Sequence, residues 1–295
     1  MAKQYVDITW DPVRHRKTRE VSINNNINYA VPASTRGIDM LLAKFRGEAY
    51  QTEVQFALAQ GSTVPKLTKP LSQVKIAFVT DGGLVPAGNP DAMPPVNADK
   101  FCIYPFCGAK TLRPEDYTVV HQGYDNQYVQ QDPNRLIPLD AAYDAVASGK
   151  IAGVFDLFYS TAGVMTSVEK SREFGEKISA SLRSSGADGV IVISTCGTST
   201  RCGAHIACEI EKAGIPVVHV TNLVRISQWV GCSRILEGNN ICHVFGDPAL
   251  AGEQEREYRR HLFDKALELL DRVPPDNGCI VEKYEDLPRV SRAQG

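Results

Sequence analysis

From residue 74 onward, short apolar runs rich in β-branched residues alternate with segments of helical period. This alternation constrains the fold more than any other feature of the chain. Strands joined through helices pair in parallel, and a parallel sheet needs both faces covered. Runs at 74–80, 118–121, 151–160, 189–194, 217–221 and 241–245 predict strands. Helices are predicted over 139–148, 167–185, 200–213 and 253–271. Ser167 is placed to cap the second of these, and Gly149 and Gly214 to close the first and third. The expected class is α/β: a mostly parallel, doubly wound, Rossmann-like sheet with helices on both faces.

An N-terminal arm and helix precede this region. Residues 1–35 have little periodicity, and Ile38, Leu41, Leu42 and Phe45 then mark an amphipathic helix ending near Gly47. The stretch 61–70 reads as a connector. The expected division is an arm, helix and connector over 1–70, an α/β domain over 71–275 with two lobes meeting near 150–165, and a tail over 276–295. Within the domain, 84–114 carries six prolines and two glycines without a clear period, which reads as a long functional or partner-binding loop.

Charge and cysteine usage narrow the partners. The net charge of −2 and the short mixed run Arg14–Arg19 argue against nucleic acid. No apolar run approaches the ~18 residues that suggest a membrane span, and the N-terminus lacks the apolar core of a signal peptide. The eight cysteines are dispersed, unlike a secreted disulfide framework. The expected setting is the cytoplasm.

Several predicted strands end in small or polar residues: Asp81-Gly82-Gly83, His121 to Asp125, Ser160-Thr161, Thr195-Cys196-Gly197 and Thr221-Asn222. In a parallel sheet these ends converge on one crevice. Cys196 is the leading candidate there, as a nucleophilic or redox thiol. A helix N-terminus follows it, and Thr195, Thr198, Ser199 and Thr200 add hydroxyls that cap a helix or bind an anion. His121 is a candidate general acid or base, with Tyr124 and Asp125 beside it to orient it or hold an ammonium group. Gly82 and Gly83 offer amides that would cradle a carboxylate, and Thr161 stands at an equivalent strand end. Cys202 is a candidate resolving thiol if it turns back toward the strand end. Cys196, Cys202 and Cys208 do not share a helix face, and no CxxC pair exists, so no metal site is expected. His219 reads as a core histidine and Asp140 as a first-turn helix residue. Cys102, Cys107, Cys232, Cys242 and Cys279 read as structural.

Ser194-Thr-Cys-Gly-Thr-Ser-Thr-Arg-Cys-Gly-Ala204 resembles the selenocysteine segment of the large component B subunit of glycine, sarcosine and betaine reductases. Gly83-Leu-Val-Pro-Ala-Gly-Asn-Pro-Asp91, His121-Gln-Gly-Tyr-Asp125, Pro138-Leu-Asp140, Tyr159-Ser-Thr161, Ala213-Gly-Ile-Pro-Val-Val218 and Gly246-Asp-Pro248 extend the resemblance over roughly 35–270. A shorter relative of the same kind occurs in D-proline reductase. Cys196 stands where that family has selenocysteine, Ser199 where relatives often carry a cysteine, and the family's N-terminal half is missing.

The resemblance implies reductive cleavage of a C–N bond α to a carboxylate in a small amino acid or amine. It implies a hetero-oligomer with a subunit from a processed proprotein, whose pyruvoyl group forms a Schiff base with the substrate amine, and a thiol electron donor. No cofactor is expected on this chain itself. Cys196 would be the nucleophile and His121 a proton donor or acceptor. Tyr124 and Asp125 would position substrate, and the turn Thr195, Gly197, Thr198 would cradle it. Two other readings stay open: a cofactor-free thiol racemase or lyase, and a non-catalytic scaffold or binding subunit, also compatible with a homo-oligomer.

Overall fold

The computed structural model describes residues 22–23, 27–53, 64–275 and 278–283. The chain forms two compact units, Met1–Phe56 and Ala57–Gly295. In the first, β1 (Ser22–Ile23) pairs in parallel with β2 (Gln51–Thr52), and α1 (Ala33–Arg46) lies between them in sequence. Gly47 closes α1 in the left-handed conformation, and Arg36 forks onto the Glu53 carboxylate at 2.6 and 3.0 Å. The predicted apolar stripe of α1 is exposed, with Phe45 61 % accessible.

The second unit holds the doubly wound sheet. Its strands are β3 (Lys75–Thr80), β5 (Cys102–Pro105), β7 (Gly153–Ser160), β8 (Gly189–Ile193), β9 (Val217–Val220), β10 (Arg234–Leu236) and β11 (Ile280–Glu282). They lie in the order β11-β10-β9-β8-β3-β7-β5, all parallel except the edge strand β5. A separate antiparallel ribbon pairs β4 (Leu84–Pro86) with β6 (Tyr117–Val119). The helices are α2 (Gln127–Gln131), α3 (Leu139–Ala147), α4 (Val168–Ser185), α5 (Gly197–Lys212), α6 (Val224–Val230) and α7 (Gly252–Asp271).

The two-residue period of the strands decides which helices pack where. Ile76, Phe78, Ile191, Ile193, Val218 and Val220 face α3 and α7, where the Phe78 and Phe263 rings lie 6.1 Å apart. Ala77, Val79, Val190, Val192 and Val217 face α4 and α5. Asp140 begins α3 as expected, and Arg259 on α7 pins it at 2.5 Å. Among the described residues no helix is long and apolar enough to cross a membrane.

Three expectations need correction. Residues 241–245 are turns, not a strand: Asn240 accepts the Cys242 amide on its side chain, and Asn239 donates to the Gly246 carbonyl. The strand there is β10, whose apolar pattern is broken by Arg234. That guanidinium is buried and bonds to the Arg272 and Pro65 carbonyls at 2.9 and 2.8 Å. The stretch 118–121 is not a strand of the main sheet, since β6 pairs back on β4. The segment 84–114 is not all loop, because it carries β4 and β5.

Candidate active site

The chain leaves β3 for β7 on one side, whereas β8 lies on the other side of β3 and continues outward to β9. The connections therefore diverge between β3 and β8, and a crevice opens at their carboxyl ends. Asp81 and Gly82 follow β3 there, and Cys196 follows β8.

Cys196 is the N-cap residue of α5, which starts three residues earlier than the sequence pattern predicts. Its side chain makes no capping bond. The first amides of the helix, at residues 197–199, lack intrahelical acceptors and form the positive end of its dipole. The residue is buried (8 % exposed), and its Sγ lies 3.5 Å from Ser199 Oγ and 3.9 Å from Thr198 Oγ1. Gly123 fills the remaining contact. A Cβ on it would lie 2.6 Å from Cys196 Sγ and 2.8 Å from His121 Cε1, so no larger residue fits between imidazole and thiol.

His121 reaches this point from outside the main sheet. Val120 donates its amide to the Gly83 carbonyl at 2.8 Å, which ties the end of the β6 strand to the end of β3. Gly83 has φ +73°, and a Cβ there would sit 2.2 Å from the Val120 oxygen. His121 Nδ1 accepts the Gly123 amide at 3.0 Å, and Nε2 lies 2.6 Å from Ser199 Oγ. Burial lowers the imidazole pKa to about 4, so the ring is neutral at pH 7. A neutral ring carries one N–H, and Nδ1 is occupied as an acceptor, so the proton sits on Nε2 and is donated to Ser199 Oγ. The Cys196 thiol donates to the same oxygen, its sulfur 3.5 Å away. The three side chains form a relay in which Ser199 Oγ accepts from both neighbours.

Tyr124 packs against His121 with ring centroids 4.8 Å apart and planes tilted by 52°, and its hydroxyl donates to the Gly82 carbonyl at 2.9 Å. Burial drives the phenol pKa well up, so it stays protonated. Asp125 is exposed, and its carboxylate accepts from the Gln127 amide and side chain, at 3.1 and 2.6 Å. It lies two residues before α2 and is not brought to Cys196.

The Gly82 and Gly83 amides do not form the expected carboxylate cradle. They are spent inside the protein, on Thr80 Oγ1 at 3.0 Å and on the Thr161 carbonyl at 2.9 Å. Thr161 uses its own hydroxyl on the Lys100 carbonyl at 2.8 Å. Thr195 is fully buried and its hydroxyl has no partner among the described residues. Thr198 Oγ1 accepts the Met165 amide at 3.1 Å, which holds Met165 at φ +61° with its side chain 60 % exposed beside the crevice.

Cys202 does not reach Cys196. Six helical residues advance the chain by about 9 Å, and a disulfide needs Cα atoms within about 7 Å. Cys202 is wholly buried, near Asp81 and bonded to Ser171, and burial raises its thiol pKa.

Other groups carried no readable sequence signal. Beneath the Cys196 turn, Ser194 Oγ hydrogen-bonds with both Asp81 Oδ2 and His219 Nε2, the latter at 2.7 Å, and His219 Nδ1 lies 2.7 Å from Ser227 Oγ. Burial lifts the Asp81 carboxyl well above its usual range and lowers His219 to about 3. His219 is thus a core histidine as expected, but it belongs to a buried polar chain that ends two residues before the thiol. Cys242 sits at the Asp125 backbone amide, near Tyr124. These residues come from separate elements, so only the folded chain brings them together.

A family model described as Glycine/sarcosine/betaine reductase selenoprotein B (GRDB) matches residues 12–195. The chain is 44 % identical over 235 residues to the glycine reductase complex component B subunit gamma of Carboxydothermus hydrogenoformans, covering 80 % of this chain and 54 % of the relative. It is 40 % identical over 250 residues to the sarcosine reductase complex component B subunit beta of Peptoclostridium acidaminophilum, covering 85 % and 57 %. The D-proline reductase subunit gamma of Acetoanaerobium sticklandii is 25 % identical over 249 residues, covering 81 % and 96 %. The chain therefore spans about half the length of the first two relatives. No solved structure matches it.

Proposed function

This chain belongs to the glycine/sarcosine/betaine reductase selenoprotein B family, and on that premise we propose that it is the thiol-bearing subunit of a reductase complex that cleaves a C–N bond α to a carboxylate. The observation that carries the reading is the placement of Cys196. It lies at the switch point of the sheet, at the head of α5, on a hydroxyl oriented by a neutral imidazole.

The chemistry divides into two displacements. The Cys196 thiolate attacks the α-carbon, an S–C bond forms, and the C–N bond breaks with its electron pair leaving on nitrogen, which takes up a proton. A second thiol, from outside this chain, then attacks the Cys196 sulfur. A disulfide forms, the electron pair of the S–C bond stays on carbon, and a proton completes the reduced acid. Two thiols are oxidised to one disulfide, and the carbon centre gains the two electrons. The amides of residues 197–199 face the substrate carboxylate, Tyr124 closes the crevice floor against Gly82, and Ser199 Oγ, held by His121, accepts the Cys196 thiol proton.

The groups touching Cys196 are hydroxyls and the Gly123 backbone, none of which is an amine or a reactive carbonyl. A pyruvoyl carried by a partner subunit would supply the carbonyl for the substrate's amine. The exposed Met165 beside Thr198 supports a partner surface at this edge of the site.

The test is turnover by the reconstituted complex carrying Cys196→Ser. Loss of about 1,000-fold or more is expected, since an alcohol at this position is a far poorer nucleophile than a thiolate. Turnover at the unaltered rate would remove Cys196 from the chemistry.

A further inference from the structure

Two thiols that the site does not use meet across α5 and the turn after α6. Cys208, on α5, has its Sγ 4.0 Å from the Val230 carbonyl oxygen at the end of α6. Cys232, two residues past Val230, returns the contact, with Sγ 3.6 Å from the carbonyl of Ala204, one helical turn before Cys208. Ala204 and Cys208 are i and i+4 neighbours, so both contacts fall on one face of α5. The two thiols thus bracket the same contact between α5 and the turn after α6. Their surroundings differ. Cys208 is partly exposed, whereas Cys232 is buried. Cys232 Sγ also lies 3.6 Å from His219 Nδ1, an imidazole within reach of its proton.

We propose that Cys208 and Cys232 are a second redox site, a dithiol that closes reversibly to a disulfide by exchange with a small-molecule disulfide. Access sets the order of events. The Cys208 thiolate attacks one sulfur of the small disulfide, the S–S bond breaks, and one small thiol leaves with the proton Cys208 gave up. Cys232 then attacks the Cys208 sulfur of the mixed disulfide and gives up its proton. The second small thiol departs and takes up that proton. The protein loses two electrons, the small disulfide gains them, and excess small thiol reverses both steps. The closed form joins the middle of α5 to the turn that follows Ser227. It touches the buried chain His219–Ser194 that ends two residues before Cys196.

The experiment equilibrates the full chain in glutathione buffers from fully reduced to strongly oxidised, quenches in acid, and maps the cysteine peptides by mass spectrometry. A Cys208–Cys232 linked peptide is expected to dominate at the oxidised end, to disappear on return to excess reduced glutathione, and to form equally in Cys196→Ser. In Cys208→Ser it must vanish, with Cys232 recovered as a free thiol. Two outcomes overturn the proposal. One is Cys208 accumulating only as a glutathione adduct. The other is both cysteines remaining free while the exposed Cys107 is modified.

Discussion

At the scale of single residues, the position of one proton decides how the site works. Because the Gly123 amide occupies Nδ1 of His121, the imidazole donates from Nε2 to Ser199, whose oxygen also accepts the Cys196 thiol. His121 thus acts as a fixed donor in the resting site rather than as a base. Its folded pKa of about 4 lies below the unfolded value of 6.5. As pH falls through 6.5 the unfolded state takes the proton first, so this group opposes folding increasingly down to about pH 4, by roughly 3 kcal/mol at the limit. Imidazole nitrogen NMR of the folded chain is expected to find His121 neutral and protonated on Nε2 at pH 5. Titration near pH 6.5 would refute the relay. None of this was readable from the sequence. Ser199 reads there as the absence of a cysteine, and His121 lies 78 residues away from it, so no local pattern pairs them. Cys196 was readable, because a thiol in a Gly-Thr-Ser turn after a buried strand has few roles in a core.

At the scale of elements, the β4–β6 ribbon delivers His121, and it is anchored through Gly83. That residue needs a positive φ and a bare Cα against the Val120 carbonyl. Gly83→Ala is expected to cost about 2 kcal/mol or more in stability, read as a lowered urea midpoint. It should also slow alkylation of Cys196, because His121 moves with the ribbon. An unchanged midpoint would mean the ribbon does not depend on this turn. The elements that sequence periodicity finds are those buried on both faces. β3, β8 and β9 are nearly continuous apolar runs, and α4 and α7 carry long helical patterns. The elements it misses have local reasons. β10 hides a buried Arg234, whose cost is met by two distant carbonyls and the Glu211 carboxylate. The 241–245 run is apolar enough for a strand, but its flanking asparagines bond the backbone into turns. The start of α5 is masked by small hydroxyl residues with low helix propensity, which the helix tolerates in its first turn.

At the scale of the whole molecule, the doubly wound sheet places the thiol, the relay and the helix dipole on one edge. The chain nevertheless spans about half the length of its component B relatives. It also leaves Ile38, Leu41, Leu42 and Phe45 of α1 exposed. Its relatives are named as components of reductase complexes. The isolated chain is therefore expected to react with thiol reagents at Cys196 yet to release no amine from any small amino acid. Amine release should appear only when the partner subunit and a thiol donor are added. Turnover by the chain alone would show that the site needs nothing from outside. The central claim, that Cys196 is the reacting sulfur and works on the Ser199 hydroxyl, is tested most directly by the rate at which iodoacetamide modifies the Cys196 peptide at pH 7. The account predicts a fall of about 10-fold or more in Ser199→Ala, the worth of a hydrogen bond to a charged group, even though the smaller side chain opens access to the sulfur. An equal or faster rate in Ser199→Ala would contradict it.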